Sequence, residues 1–469
     1  MYSKIIAVLF LIYCFPNDAY AASFDATTLS LSWAIPFIGI LLSIALCPLV
    51  LPTIWHHHYG KITAAWTLLF IIPFTFVFGI SDITYIVAHA TFEEYVPFIL
   101  LLLALFTVSG GIFVQGNFNG TPKFNTLLLI IGTLLASVMG TTGAAMLMIR
   151  PIIRANSNRH NKVHIIVFFI FLVANIGGGL TPLGDPPLFI GFLKGVNFFW
   201  TLTHMFLPVL LTTFLLLIIF YCIDNYYYKR QEKIVAHHSI SDRTIKIYGK
   251  QNIVLLIAII AAVLLSGIWQ SGISLTMLGV NLTLQNIIRD LLLIIISVVS
   301  IIITPKQVRS ANQFNWQPIL EVAKLFLGIF ITIVPVLAIL RVGNEGHLSS
   351  IVSLVTDNSG EPINIMYFWL SGILSGFLDN APTYLVFFNL ASGDANILMG
   401  HLNATLLAIS MGSVFMGALT YIGNAPNFMV RSIAIQNSIN MPSFFGYMKW
   451  SIIILIPVFI INSVVFFML

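Results

Sequence analysis

In a chain that is 58% hydrophobic and 8% charged, two aspartates stand inside runs of glycine, proline and small polar residues. One is Asp185, in Gly179-Leu180-Thr181-Pro182-Leu183-Gly184-Asp185-Pro186-Pro187; the other is Asp379, in Gly376-Phe377-Leu378-Asp379-Asn380-Ala381-Pro382-Thr383. A carboxylate in apolar surroundings is costly and marks function. Burial favours its protonated form, so it can hold a proton in one state and exchange it for a cation in another. Hydroxyls and amides accompany both: Thr141 and Thr142 in a third such run, Asn380 and Thr383 beside Asp379, and Asn175, Thr181, Thr420 and Asn424 in the remaining breaks. All are hard oxygen donors, suited to sodium, and Asp379, Asn380 and Asp185 form the candidate sodium set. The competing reading is helix capping, for which Asp, Asn and Thr are preferred. A neutral cap would avoid the charge penalty, so Asp185 and Asp379 are read as functional, whereas Asn175 and Asn424 stay open between cap and ligand. No residue is assigned a catalytic role, and no cofactor is expected.

The elements that must position these groups follow from composition. A charged fraction of 8% in 469 residues, with mean hydropathy +0.98, falls far below the roughly 25% of soluble domains. Apolar runs of about 20 residues, the length a bilayer span needs, recur along the chain. It reads as an all-α polytopic membrane protein, not a soluble enzyme. The net charge of +5 is assigned to cytoplasmic loops rather than to a nucleic-acid partner. Cys14, Cys47 and Cys222 have neither CxxC spacing nor histidine partners, which argues against a disulfide framework or zinc site. No Walker A sequence is present, which argues against an ATP-driven pump.

Residues 1–21 read as a signal peptide: Lys4, a short apolar core, then Ala19-Tyr20-Ala21 at the cleavage point. Spans are read at 30–54, 62–80, 95–116, 163–196, 199–223, 252–270, 288–304, 318–341, 401–436 and 448–468, with two re-entrant hairpins at 124–154 and 363–391. With residues 22–29 outside, the inside receives Lys61, Lys123, Arg150, Arg154, Arg159, Lys162 and the cations of the 224–250 linker, while the outside receives only Lys194, Arg289 and Arg341. That is the positive-inside pattern of a bacterial inner membrane protein. Single crossings at the hairpins would spoil it. Trp55-His56-His57-His58 is read as an interfacial turn, and Glu93-Glu94 as flanking the outer end of a helix.

The chain repeats itself. Leu180-Thr181-Pro182-Leu183-Gly184-Asp185-Pro186-Pro187 aligns with Leu419-Thr420-Tyr421-Ile422-Gly423-Asn424-Ala425-Pro426, and the run from Gly140 to Leu147 with that from Leu378 to Leu385. The first repeat is 22–223 (hairpin 124–154, broken helix 163–196); the second is 251–469 (hairpin 363–391, broken helix 401–436), joined by a basic cytoplasmic linker at 224–250. The hairpins open to opposite sides, so the repeats have inverted topology, as in many secondary transporters. Broken helices free carbonyls for a cation and N–H groups for an anion.

The motif from Gly179 to Leu193 and that from Gly376 to Leu385 resemble signatures of the ion transporter superfamily, in its NhaD-type sodium/proton antiporter and citrate transporter-like (CitMHS) branch, over residues 30–469. The resemblance implies a scaffold plus a transport region of hairpins and broken helices, a homodimer, and an elevator-like movement. Carboxylate-carrying relatives bear Ser-Asn-Thr at both tips, whereas this chain has Thr141-Thr142-Gly143 and Asp379-Asn380-Ala381. A fixed charge on Asp379 would repel citrate, which favours sodium/proton exchange over cation-coupled carboxylate transport. In the carboxylate alternative Arg150, Arg154 and the backbone N–H groups of Gly177 to Gly179 would serve the anion. An intramembrane aspartate protease is the third reading, disfavoured because the two acids lie in opposite repeats. The expected partners are small ions, a carboxylate under the alternative, and membrane lipid.

Overall fold

The computed structural model describes residues 29–116, 119–230, 246–342, 349–357 and 359–468. The signal-peptide reading and linker residues 231–245 lie outside them. The described chain is almost wholly helical: α1 (Leu31–Val50), α2 (Pro52–Phe78), α3 (Ile80–Ser109), α4 (Pro122–Met139), α5 (Thr141–Ala155), α6 (Val163–Leu172), α7 (Pro186–Leu193), α8 (Phe198–Arg230), α9 (Gln251–Ile268), α10 (Leu284–Ile303), α11 (Gln317–Arg341), α12 (Asn364–Leu378), α13 (Asn380–Leu390), α14 (Asn403–Phe415), α15 (Ala425–Gln436) and α16 (Phe444–Phe467), with a few shorter helices between. Ten of the described helical stretches are long and apolar enough to cross a membrane. Two small antiparallel ribbons complete the description: Phe113–Gln115 with Lys246–Tyr248, and Ser274–Met277 with Val280–Thr283.

The interruptions sit where glycine and proline demand them. α4 and α5 meet at Gly140, and α12 and α13 at Asp379, each pair folding back on itself. Between α6 and α7, and again between α14 and α15, the chain leaves the helix through a single 3-10 turn, Ile176–Leu180 and Met416–Leu419. Proline at the first turns of α7 and α15 restarts the helix where no backbone donor is needed. The two halves interlock: α13 packs on α7, and α15 packs on α5. Separately, α1, α2 and α11 pack together, and α9 and α10 pack on α3. Exposed apolar side chains on α1, α2, α8 and α10, such as Phe76, Val77, Leu207 and Ile302, are what hydrocarbon-facing helices carry.

Several boundaries differ from those read in the sequence. α2 starts at Pro52 rather than at residue 62, because proline suits the first helical turn; Trp55 is consequently buried and the three histidines lie along the helix rather than in a turn. α3 starts at Ile80 and carries a π-helical turn at Ala90–Tyr95, so Glu93 and Glu94 lie within a continuous helix instead of flanking one. Arg289, expected in an outer loop, is 2% exposed within α10. The hairpins match by backbone at Gly140 (φ 79°, ψ 151°) and Asp379 (φ 89°, ψ 145°). This differs by one residue from the sequence alignment of Gly140 with Leu378.

The base of the first hairpin is tied by a buried polar cluster. Asp224, near the end of α8, takes Arg159 Nη2 at 2.5 Å, His164 Nε2 at 2.8 Å and the Asn125 amide at 2.9 Å. Asn125 and Asn156 exchange amide hydrogen bonds at 2.9 and 2.8 Å, closing the two legs of the hairpin. Four segments thus depend on one carboxylate. Removing it leaves a buried guanidinium without its counter-charge, a change that costs about 3–5 kcal/mol. Asp224→Ala is therefore expected to lower the melting temperature in detergent by many degrees, whereas removal of the exposed Glu361 carboxylate leaves it unchanged; equal melting temperatures would contradict the clamp.

Candidate functional site

The site is assembled at the two breaks. The second break comes 239 positions after the first, Asn424 standing where Asp185 stands. In each half a threonine hydroxyl from the break braces the hairpin 44 positions before it: Thr181 donates to the Ser137 carbonyl and Thr420 to the Gly376 carbonyl, both at 2.5 Å. These carbonyls near the hairpin tips need a donor in a water-free interior, and the threonines supply it. Thr181 and Thr420 are therefore braces of the backbone. Thr383 likewise spends its hydroxyl on the Asp379 carbonyl one turn before, at 2.8 Å. These three sequence candidates are structural in this conformation.

Asp185 is the centre of the remaining candidates. It is 2% exposed, and its carboxylate accepts from three neutral donors: the Thr141 hydroxyl at 3.1 Å, the Asn380 amide at 2.7 Å and the Asn424 amide at 3.4 Å. Thr141 comes from the first hairpin, Asn380 from the second and Asn424 from the second break, so both halves converge on one carboxylate. The Asn380 side-chain oxygen then faces the Ser375 hydroxyl at 2.7 Å, an orientation fixed by the need to point its NH2 at the acid. Asn175 is fully buried and donates to Asn427 Oδ1 at 2.7 Å and to the Ile170 carbonyl at 2.8 Å, while its own oxygen lies 3.5 Å from the Asn424 amide. Gly417 is required at the crossing: a Cβ there would fall on the Asn380 side-chain oxygen.

Asn427 and Ser375 were not among the sequence candidates. Asn427 is buried and donates to the carbonyls of Gly417 and Thr420, both at 2.9 Å, holding the second break open while anchoring Asn175. Its only sequence signal is an amide one turn beyond Asn424 in an apolar helix. Ser375 lies 2.6 Å from the Ser413 carbonyl and fastens the second hairpin to α14.

Asp379 has a different setting. Its Oδ1 accepts from the Ala381 amide at 3.3 Å, and the half-buried side chain lines a cavity of about 470 Å3 shared with Asp185, Thr142 and Asn424. The cavity extends to His56, Arg150 and Gln313, on the side assigned to the cytoplasm. At φ 89° Asp379 occupies backbone space natural to glycine, the residue used at Gly140. Such a conformation costs of order 1–3 kcal/mol and persists where function requires the side chain. No lysine, arginine or histidine forms an ion pair with either acid among the described residues. Also among the described residues, no cluster of three or more His, Cys, Asp or Glu side chains is present. Any ion held here would rely on two acids plus hydroxyl, amide and carbonyl oxygens.

The strain makes a prediction. Asp379→Gly relieves the positive φ, so the variant is expected to melt at the wild-type temperature or higher while losing transport in vesicles. A variant that keeps transport would show that Asp379 serves only the turn.

No curated protein sequence matches the chain. The family model described as "Putative citrate transport" matches residues 26–467, nearly the whole sequence and both breaks. With ten helices able to cross a membrane and the breaks converging on a common cavity, this chain is a multi-pass membrane protein and belongs to that citrate transport (CitMHS-like) family of transporters.

Proposed function

We propose that the protein is a secondary active transporter that exchanges sodium ions for protons through Asp185 and Asp379. One observation carries the reading: two carboxylates face one cavity at the crossing of two broken helices, and only neutral groups hydrogen-bond to them. An ionised carboxylate withdrawn from water needs a counter-charge. With none supplied at bonding distance by the described residues, a proton or a bound cation must fill the role, and the two exclude each other on the same oxygens. That competition is the exchange. Asp185, gripped by donors from both halves, would report the ion's presence to both hairpins; Asp379, less encumbered, would be the group that loads and unloads. The family resemblance adds a homodimer in a bacterial inner membrane, with the hairpins and broken helices moving as one body against the scaffold.

A second reading has its own observation. Arg150 lines the part of the cavity assigned to the cytoplasm, where Nη2 donates to Gln313 at 3.1 Å and the buried Nη1 has no partner among the described residues. A free guanidinium donor suits a carboxylate, in line with the family's description. In that case a cation at the acids and an organic carboxylate near Arg150 would travel together.

Proteoliposomes holding a preset pH gradient and a pH-sensitive dye separate the two. Exchange predicts that sodium chloride dissipates the gradient, that potassium chloride does not, and that Asp185→Asn and Asp379→Asn each abolish the sodium response. A response to sodium citrate alone would overturn the exchange reading in favour of carboxylate carriage, with Arg150→Gln then expected to remove it.

A further inference from the structure

Lys194 caps α7, the eight-residue helix that begins directly after Asp185. Its ammonium group meets Glu94 Oε1, on the π-helical turn of α3. The side chains are 21% and 10% exposed, respectively, and the second Glu94 oxygen is buried without a partner among the described residues. Glu93, next to Glu94, is engaged instead by His89 at 3.0 Å. α7 packs on α13 of the second hairpin, whereas the π-turn packs on α11. The pair therefore joins the bundle of breaks and hairpins to the helices around it. Neither residue lines the cavity that reaches His56 and Gln313, and the positive-inside count assigns Lys194 to the outer side. π-Turns interrupting α-helices recur at functional sites, and here the turn lets Glu94 face inward beside its outward neighbour.

We infer that the Glu94–Lys194 ion pair is the outer latch of the transporter: it holds the inward-open conformation, and it must part for the cavity to open outward. The inference rests on the transporter reading but not on which ion is carried. Because Oε2 of Glu94 has no partner while the pair is closed, separation lets water reach a carboxylate oxygen that is otherwise buried unsatisfied, which keeps the latch reversible.

The test reads conformation rather than transport. In a background lacking Cys14, Cys47 and Cys222, Ile422, which lines the cavity, is replaced by cysteine. Labelling by a membrane-impermeant maleimide is then followed in inside-out vesicles. Lys194→Gln is expected to slow labelling about fivefold, the effect of losing one modest interaction from a two-state balance. The charge exchange Glu94→Lys with Lys194→Glu is expected to restore the wild-type rate, which excludes misfolding as the cause. Conversely, Glu94→Cys with Lys194→Cys, oxidised to a disulfide, is expected to keep labelling at the wild-type rate or faster while stopping transport reversibly. Unchanged labelling in Lys194→Gln, or undiminished transport in the cross-linked form, would overturn the latch. Failure of the sodium response in wild-type vesicles leaves these labelling outcomes intact, so the two proposals fail separately.

Discussion

A carboxylate removed from water without a counter-charge is among the least favourable things a protein interior can hold, and the architecture around Asp185 is organised to make it tolerable. Thr141, Asn380 and Asn424 donate to it from three separate segments. Two of the donors are themselves fixed, Asn380 by Ser375 and Asn424 by its place beside Asn175, which Asn427 holds in turn. These bonds demand that two hairpins and two broken helices meet at one point. Breaks in the helices follow, because only there are backbone and side-chain groups free to converge within an apolar interior. The same reasoning explains why the breaks are rich in glycine: Gly417 must let its backbone approach the Asn380 and Asn175 amides without a side chain.

The two acids occupy equivalent stations in neither half. Asp185 stands opposite Asn424, and Asp379 opposite Gly140. A symmetric scaffold thus presents an asymmetric site, one acid caged by amides and one strained and facing open space. That division suits a cycle in which one carboxylate couples occupancy to packing while the other exchanges with solution. The buried Asp224 cluster serves the opposite need. It has a full counter-charge in Arg159 and so holds the base of the first hairpin permanently.

Much of this was legible in the sequence. Glycine and proline inside apolar runs announce helix breaks because no continuous helix accommodates them, and acids inside such breaks stand out in so apolar a chain. That composition singles out Asp185, Asp379, Asn380, Thr141 and Asn424 as candidates. What escaped was whatever depends on distant partners. Asn380 reaches Asp185 across 195 residues, and no local pattern reveals the bond. Asp224 looks like the start of a charged linker until three other segments fold around it, and Glu94 like an ordinary helix-end acid until Lys194 arrives. Thr181 and Thr420 have the composition of ligands, but the nearest unsatisfied groups are backbone carbonyls. Residue types align Gly140 with Leu378, whereas the positive φ that closes the tip falls one residue later, at Asp379.

The central claim is that a cation and a proton compete for the same carboxylates. Titrating purified protein in weakly buffered detergent with sodium chloride, while recording pH, tests it most directly. The account predicts proton release that saturates with sodium, is absent with potassium, and is lost in Asp379→Asn. Saturable sodium binding with no proton released would contradict it.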